Sequence, residues 1–401
     1  MNNISVMLYA SITNIPTLNI KTPSVLGIIG TGAAILKIAF LLTGGRYGGI
    51  ERVFLVLANA LSGHVKQIDL VFTDIEGEVY PRIPKGSGYN IVNLKTKRLR
   101  QALPALIKYL AREKPDYLIS GSLTVNLYAA IAKILSSSRT RVIWGVHSIL
   151  SELKGSGGIT FRLLSLLSWL TYWAAYKVIA VSNFAAEDFS KTTGIPRTRI
   201  DVIYNPVPIE DITKESFARF EHRFFSTGHP PVIISVGRIE KEKNFLLLLE
   251  AFSIVRKHRD AKLLIVGEGS QRNMLIEKAK ELKISEDVDI SGFKSNPYPL
   301  MRGSSVFVLS SDHEACPMVL IEALALGLPI VATDCPGGVR EILKDGKYGI
   351  ISPKRNAKAL ADAIERSLDA RRDESFLKER ARDFSAEKIS NQYLKLLGVL
   401  K

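Results

Sequence analysis

The chain has 401 residues, more than one hydrophobic core usually holds, and its 46% apolar and 23% charged content excludes a disordered or fibrous chain in favour of two globular domains. Its cysteines, Cys316 and Cys335, form neither a CxxC pair nor a Cys/His spacing suited to zinc, and a reducing cytoplasm is the expectation. The net charge of +15 is lopsided, since residues 1–200 carry 23 Lys and Arg against 10 Asp and Glu while residues 201–401 carry 31 against 29, so a surface for phosphates, nucleic acid or anionic lipid belongs to the first half.

The first 35 residues, MNNISVMLYASITNIPTLNIKTPSVLGIIGTGAAI, hold one Lys and no acid, and a polar, Pro-containing stretch interrupts their apolar residues. They lack the layout of a signal peptide. They read as an extension before a folded chain that begins near Leu36 and Lys37, with a membrane-associating segment as the second reading. From Lys37 onward, KIAFLL, IDLVFT, DYLIS, RVIWGV, KVIAVS and DVIYN are predicted strands, most of them followed by an amphipathic or buried helix. That is the rhythm of βαβ units and a parallel sheet.

Residues 43–49, TGGRYGG, follow the first strand and open a helix. They lack G-x-G-x-x-G spacing and no acid is placed for a ribose, which argues against a Rossmann dehydrogenase. Residues 95–114, KTKRLRQALPALIKYLAREK, set seven Lys and Arg beside Leu99, Leu103, Leu106, Ile107 and Leu110. Such a basic, partly amphipathic segment suits either solvent or an anionic membrane. Residues 159–176, ITFRLLSLLSWLTYWAAY, are apolar but contain Arg162 and several hydroxyls and run into a strand, so a buried or membrane-facing helix is expected rather than a span.

The rhythm breaks over residues 206–230, where prolines and charges replace the alternation, and resumes with PVIISVG, AKLLIVGEG, VDISGF, SVFVLSS and LPIVATD. The expected organisation is an extension over residues 1–35, an α/β domain over 36–208, a linker over 209–230, a second α/β domain over 231–384 and a C-terminal helix over 385–401 that packs back on the first domain. Doubly wound sheets bind ligands at the carboxyl ends of their strands, so the cleft between the halves is the expected site.

In the second half, Arg238 follows PVIISVG and Lys243 comes five residues later, just before the helical run NFLLLLEAF. Two cations at a strand end beside a helix N-terminus suit a phosphate. Further on, EACPMVLIE sets Glu314 in a loop and Glu322 inside a helix opened by Pro317 and closed by Gly327. A buried carboxylate without a partner costs roughly several kcal/mol, so each needs a partner or a ligand. Carboxylates suit vicinal hydroxyls and the helix N-terminus suits phosphates; together they describe a nucleotide sugar. Asp287-Val288-Asp289 has the letters of a metal-chelating Asp-x-Asp but sits at the start of VDISGF rather than at its carboxyl end, so no metal site is expected there.

Gly48-Gly49-Ile50-Glu51-Arg52, VSNF at 181–184, NPV at 205–207, SVGRIEKEKN at 235–244, IVGEG at 265–269, SGF at 291–293 and Glu-x7-Glu followed by ALALGLPIVATDCPGGVREIL together resemble the family 4 glycosyltransferases. The resemblance implies the GT-B fold, two doubly wound Rossmann-like domains facing a central cleft. It implies retaining transfer of a hexose or N-acetylhexosamine from a UDP-sugar, with no catalytic metal and no cofactor beyond the nucleotide sugar. It further implies Arg238 and Lys243 on the donor diphosphate, Glu322 on the ribose, Glu314 on the transferred sugar and His147 near it. Gly48, Gly49, Gly237, Pro317, Met318 and Val319 would complete the donor site, and Asn205, Lys97 and Arg98 the acceptor side.

The segment from Cys316 onward is most similar to bacterial members that build surface polysaccharides or lipid-linked oligosaccharides. The expected acceptor is therefore a glycan or a polyprenyl-diphosphate-linked glycan, and the expected location is the inner face of the cytoplasmic membrane, on its anionic surface. Nucleic acid is not the expected partner, because no RRM, KH or helix-turn-helix signature is present. Two other readings stay open: a UDP-sugar epimerase or hydrolase on the same fold, which needs acid/base residues the sequence does not display, and a non-catalytic membrane or nucleic-acid binder.

Overall fold

The computed structural model describes residues 34–44, 48–76, 79–80, 83, 86–96, 98–226 and 228–400, and only the backbone of residues 153–160. The expectations for residues 1–33, for the middle of TGGRYGG and for Lys97 lie outside the described residues.

Among those residues the strands form two all-parallel sheets. The first holds β1 (Ala34–Leu42), β2 (Val65–Phe72), β3 (Asn90–Asn93), β4 (Tyr117–Ser120), β5 (Arg141–Val146), β6 (Ala175–Ala180) and β7 (Ile200–Val202), in the order β3-β2-β1-β4-β5-β6-β7. The second holds β8 (Val232–Val236), β9 (Lys262–Val266), β10 (Val288–Ile290), β11 (Val306–Leu309), β12 (Ile330–Thr333) and β13 (Ile350–Ser352), in the order β10-β9-β8-β11-β12-β13. Around the first sheet lie α1 (Gly49–Leu61), α2 (Leu99–Glu113), α3 (Leu123–Ser136), α4 (Leu150–Thr171) and α5 (Asn183–Thr193), and α6 (Ile209–Glu215) follows its last strand. The second carries α7 (Phe245–His258), α8 (Arg272–Glu281), α9 (Tyr298–Gly303), α10 (Met318–Ala325), α11 (Val339–Leu343), α12 (Ala357–Asp369) and α13 (Glu374–Arg382).

Local sequence accounts for most of this. In α1, Val53, Phe54, Leu57, Ala58 and Leu61 recur at helical spacing and all are buried against the sheet. The central strands are apolar on both faces because helices cover both, the usual condition of a parallel sheet. The sequence reading misses β3 and β13. Both are edge strands, of four and three residues, and mostly half-buried side chains deny them the continuous apolar run of a central strand.

Strand order reverses between β1 and β4 and again between β8 and β11, so each sheet has a switch point there where a ligand can reach the carboxyl ends of its strands. The two switch points face each other. A Cβ added at Gly49, on the first turn of α1, would stand 3.9 Å from the Met318 methyl at the start of α10. After α13 the chain crosses back: Ser385 bridges Val207, and α14 (Ala386–Leu396) packs on α1 with Ile389, Tyr393 and Leu394 in the core of the first half.

Candidate active site

Lys243 and Glu314 meet at the β8/β11 switch point, Nζ to Oε1 at 2.5 Å. Lys243 closes a 3-10 turn after β8, and its carbonyl accepts from the Ser310 hydroxyl at 2.9 Å, just past β11. Glu314 is fixed from three sides. Its N–H donates to Pro336 O at 3.0 Å, its carbonyl accepts from Gly338 N at 2.9 Å, and its carboxylate accepts from Ser311 Oγ at 2.8 Å. Gly337 makes this approach feasible: its φ is +127°, and a Cβ there would sit 1.6 Å from the Glu314 carbonyl oxygen. Arg238 is not brought into this pair. Its side chain is 70% exposed and meets Glu242 at 3.0 Å. Gly237 lies against the aliphatic stem of Lys243.

Glu322 does not lie on a solvated helix face. It is 3% exposed within α10, and its Oε1 stands 2.6 Å from the Arg52 guanidinium of α1 in the opposite domain. The same guanidinium donates to the Tyr298 hydroxyl at 2.6 Å. Burial pushes the Tyr298 phenol well above its ordinary value, so it stays protonated. Arg52 thus ties three elements across the cleft. Pro317 stands at the N-cap of α10, and the first N–H groups that follow, those of Met318 and Val319, have no intrahelical carbonyl to bond. The Met318 methyl on this turn is the atom that meets Gly49. Gly48, the N-cap of α1, donates its own N–H to Glu51 at 3.2 Å.

His147 follows β5 and is half-buried in the cleft wall, edge-on to Phe54 with ring centroids 5.8 Å apart. Burial pushes its imidazole down to about 4, and a hydrogen bond with the Asn205 side chain offsets this only in part. The ring is therefore neutral at physiological pH. Asn205, buried in the loop after β7, also lies beside the Cys316 thiol of the second domain, which burial pushes up to about 12. A folded-state value below the ordinary 6.5 means that the unfolded chain binds more protons as the pH falls from 6.5 toward 4, so this contribution to stability is complete above 6.5 and is lost below it. We expect the melting temperature of wild type to fall more steeply through that window than that of His147→Gln. Parallel curves in scanning fluorimetry would contradict the assignment.

Glu341, which the sequence reading did not single out, joins the domains. From α11 its carboxylate accepts from the backbone N–H groups of Asn183 and Phe184 at 2.9 and 3.0 Å, and from the Tyr204 hydroxyl at 2.8 Å. A carboxylate of one domain thereby satisfies the first N–H groups of α5 in the other. Glu341→Ala is expected to cost about 1–2 kcal/mol, the usual value of a lost helix cap, seen as a lower denaturation midpoint. An unchanged midpoint would show that solvent replaces the contact without loss.

Arg98 is not among the residues gathered here; it is exposed at the start of α2. Asp287 and Asp289 are each taken by protein partners, Asp287 by Arg256 and Lys262 and Asp289 by His222 and Ser291.

Two doubly wound domains whose switch points close on a shared cleft define the GT-B fold. HepE of Anabaena, solved in complex with UDP-glucose, aligns with a TM-score of 0.74 at 20% identity, covering 91% of this chain and all of that one. Two family models match, Glycosyltransferase Family 4 over residues 47–211 and Glycosyl transferases group 1 over residues 218–384. An uncharacterized glycosyltransferase of Methanocaldococcus jannaschii is 30% identical over 336 residues, 73% of this chain and 81% of its own length. The N-acetylgalactosamine-N,N'-diacetylbacillosaminyl-diphospho-undecaprenol 4-alpha-N-acetylgalactosaminyltransferase of Campylobacter jejuni is 27% identical over 308 residues, 76% of this chain and 79% of its own. The chain belongs to the family 4 glycosyltransferases.

Proposed function

We propose that this glycosyltransferase retains configuration and needs no metal, moving a hexose or N-acetylhexosamine from a UDP-sugar to a glycan carried on a polyprenyl diphosphate, in polysaccharide or glycoconjugate biosynthesis. The Lys243–Glu314 pair, set beside the open N-terminus of α10 and across from Gly49, carries the reading. The donor diphosphate would lie at that helix end, taking Lys243 as its counter-charge while Arg238 swings in from solvent. The two cations stabilise the charge that develops as the bond to the anomeric carbon breaks. Glu314, released from Lys243, would accept from hydroxyls of the transferred sugar. Glu322, its charge balanced by Arg52, would serve the ribose.

Attack comes from the face the diphosphate leaves. The acceptor oxygen bonds to the anomeric carbon and passes its proton to the departing diphosphate oxygen. Neutral His147 donates or accepts a hydrogen bond beside the sugar, and Asn205, Lys97 and Arg98 belong to the acceptor side. The name of the Campylobacter relative, a transferase to a diphospho-undecaprenol acceptor, supports the lipid-linked acceptor, and the UDP-glucose in HepE supports the donor. Among the described residues no helix is long and apolar enough to cross a membrane, so the location we propose is peripheral, at the inner face of the cytoplasmic membrane.

The test is the denaturation midpoint of the purified protein against a panel of UDP-sugars, with and without EDTA. We expect one UDP-sugar to raise the midpoint equally in both conditions. No rise with any nucleotide sugar would overturn the donor assignment, and a rise abolished by EDTA would overturn metal independence.

A further inference from the structure

The outer half of α4 is built the wrong way round for a helix in water. At about 100° per residue, Leu163, Leu166, Trp169 and Leu170 share an arc of about 120°, and Arg162 lies within it. That arc faces outward. Those four and Trp173, in the turn that follows, are between 47% and 64% exposed, whereas Ser165 and Ser168 face inward and are buried beside Phe161. Ser165 satisfies its hydroxyl locally, donating to the Phe161 carbonyl at 3.0 Å. A surface helix normally turns serines out and leucines in.

The patch extends beyond α4. The helix α3 packs against α4 and against the 172–174 turn, and its last residues add exposed Ile134 and Leu135. Cations border the apolar area: Arg139 and Arg162 are exposed, and the Arg141 guanidinium lies 5.0 Å from the ring centre of exposed Tyr176. Over residues 121–200 there are 9 Lys and Arg against 3 Asp and Glu. In the same helix layer, α2 presents Arg100, Lys108 and Arg112 to solvent.

We propose that this face of the first domain is the surface by which the enzyme lies on an anionic bilayer, with Leu166, Trp169, Leu170 and Trp173 entering the headgroup region and the basic border meeting lipid phosphates. Aromatic and leucine side chains above a cationic rim are how an interfacial helix binds such a membrane. A second copy of the chain fits less well. A two-fold contact would set the patch against itself and press its cations together. The proposal rests on the lipid-linked acceptor for its purpose but not for its geometry: the domain assigned to the acceptor is held at the bilayer, and the donor domain stays free to close over it.

The experiment is sedimentation of the full chain with phosphatidylcholine vesicles, with or without phosphatidylglycerol, comparing wild type with the triple variant Leu166→Ser, Trp169→Ser, Trp173→Ser. We expect wild type to bind the anionic vesicles and the variant to bind them at least about tenfold more weakly. Brominated lipids supply a readout that needs no variant. Of the three tryptophans Trp144 is fully buried, so quenching of wild-type fluorescence reports Trp169 and Trp173. Equal binding by the variant, or no quenching in wild type, overturns the proposal. So does a wild-type dimer that the variant dissolves, which would give the face to a second copy. A UDP-sugar midpoint shift kept by the variant shows that the donor site and the membrane face fail or stand separately.

Discussion

Lys243→Ala is expected to lower kcat/KM by about 10²–10³-fold while the protein stays folded, the usual effect of losing one preorganised group that stabilises transition-state charge. The residue has the means for that role. Its side chain is only 18% exposed and is held by the switch-point loop, so the charge costs little to reorient when the diphosphate arrives. Its partner is Glu314, which keeps the Ser311 hydrogen bond after the substitution and stays anchored through Pro336 and Gly338. The variant should therefore melt close to wild type. Glu314→Ala should lose a comparable share of activity, since Lys243 would then lack its positioning partner and the transferred sugar its carboxylate contact. Steady-state kinetics with the stabilising UDP-sugar decides, and near-normal turnover by either variant would remove the pair from the site.

Arg52→Ala is expected to cost about 3–5 kcal/mol of stability, the largest structural effect we anticipate, because it leaves Glu322 as an uncompensated buried charge. Glu322→Gln should be milder, since it removes the charge and keeps the shape. The double variant should recover part of the Arg52→Ala loss, because the isolated carboxylate is then gone. Denaturant unfolding of the four proteins completes the cycle. A strictly additive double variant would mean that the 2.6 Å contact between Arg52 and Glu322 carries no coupling, and that Arg52 acts through Tyr298 alone.

The two-domain α/β frame was legible because its central strands and amphipathic helices write their burial into local sequence. Two of its four edge strands were not: β3 and β13 need a neighbour on one side only and show little apolar pattern, whereas β7 and β10 kept enough of it to be read. Site chemistry was legible in the same partial way. The residue types at 243, 314 and 322 announced cations and carboxylates at strand and helix ends, but which charge meets which is a property of the assembled cleft. Arg52 closes the Gly48–Arg52 motif but shows no role there, because its partners are on α9 and α10, far away in the chain. Glu341 gave no local signal beyond a carboxylate after a Gly-Gly turn, and its partners begin 158 residues earlier. The apolar run at 159–176 was visible as a helix for a buried or membrane-facing place, yet only the fold shows the serines turned in and the tryptophans turned out.

The most direct measurement is the anomeric configuration of the product, read by NMR after incubation with the stabilising UDP-sugar and a polyprenyl-diphosphate-linked glycan. We expect UDP release that depends on the acceptor and a new glycosidic bond with the configuration of the donor. A product of opposite configuration, or UDP release indifferent to the acceptor, would contradict a retaining transferase built around Lys243 and Glu314.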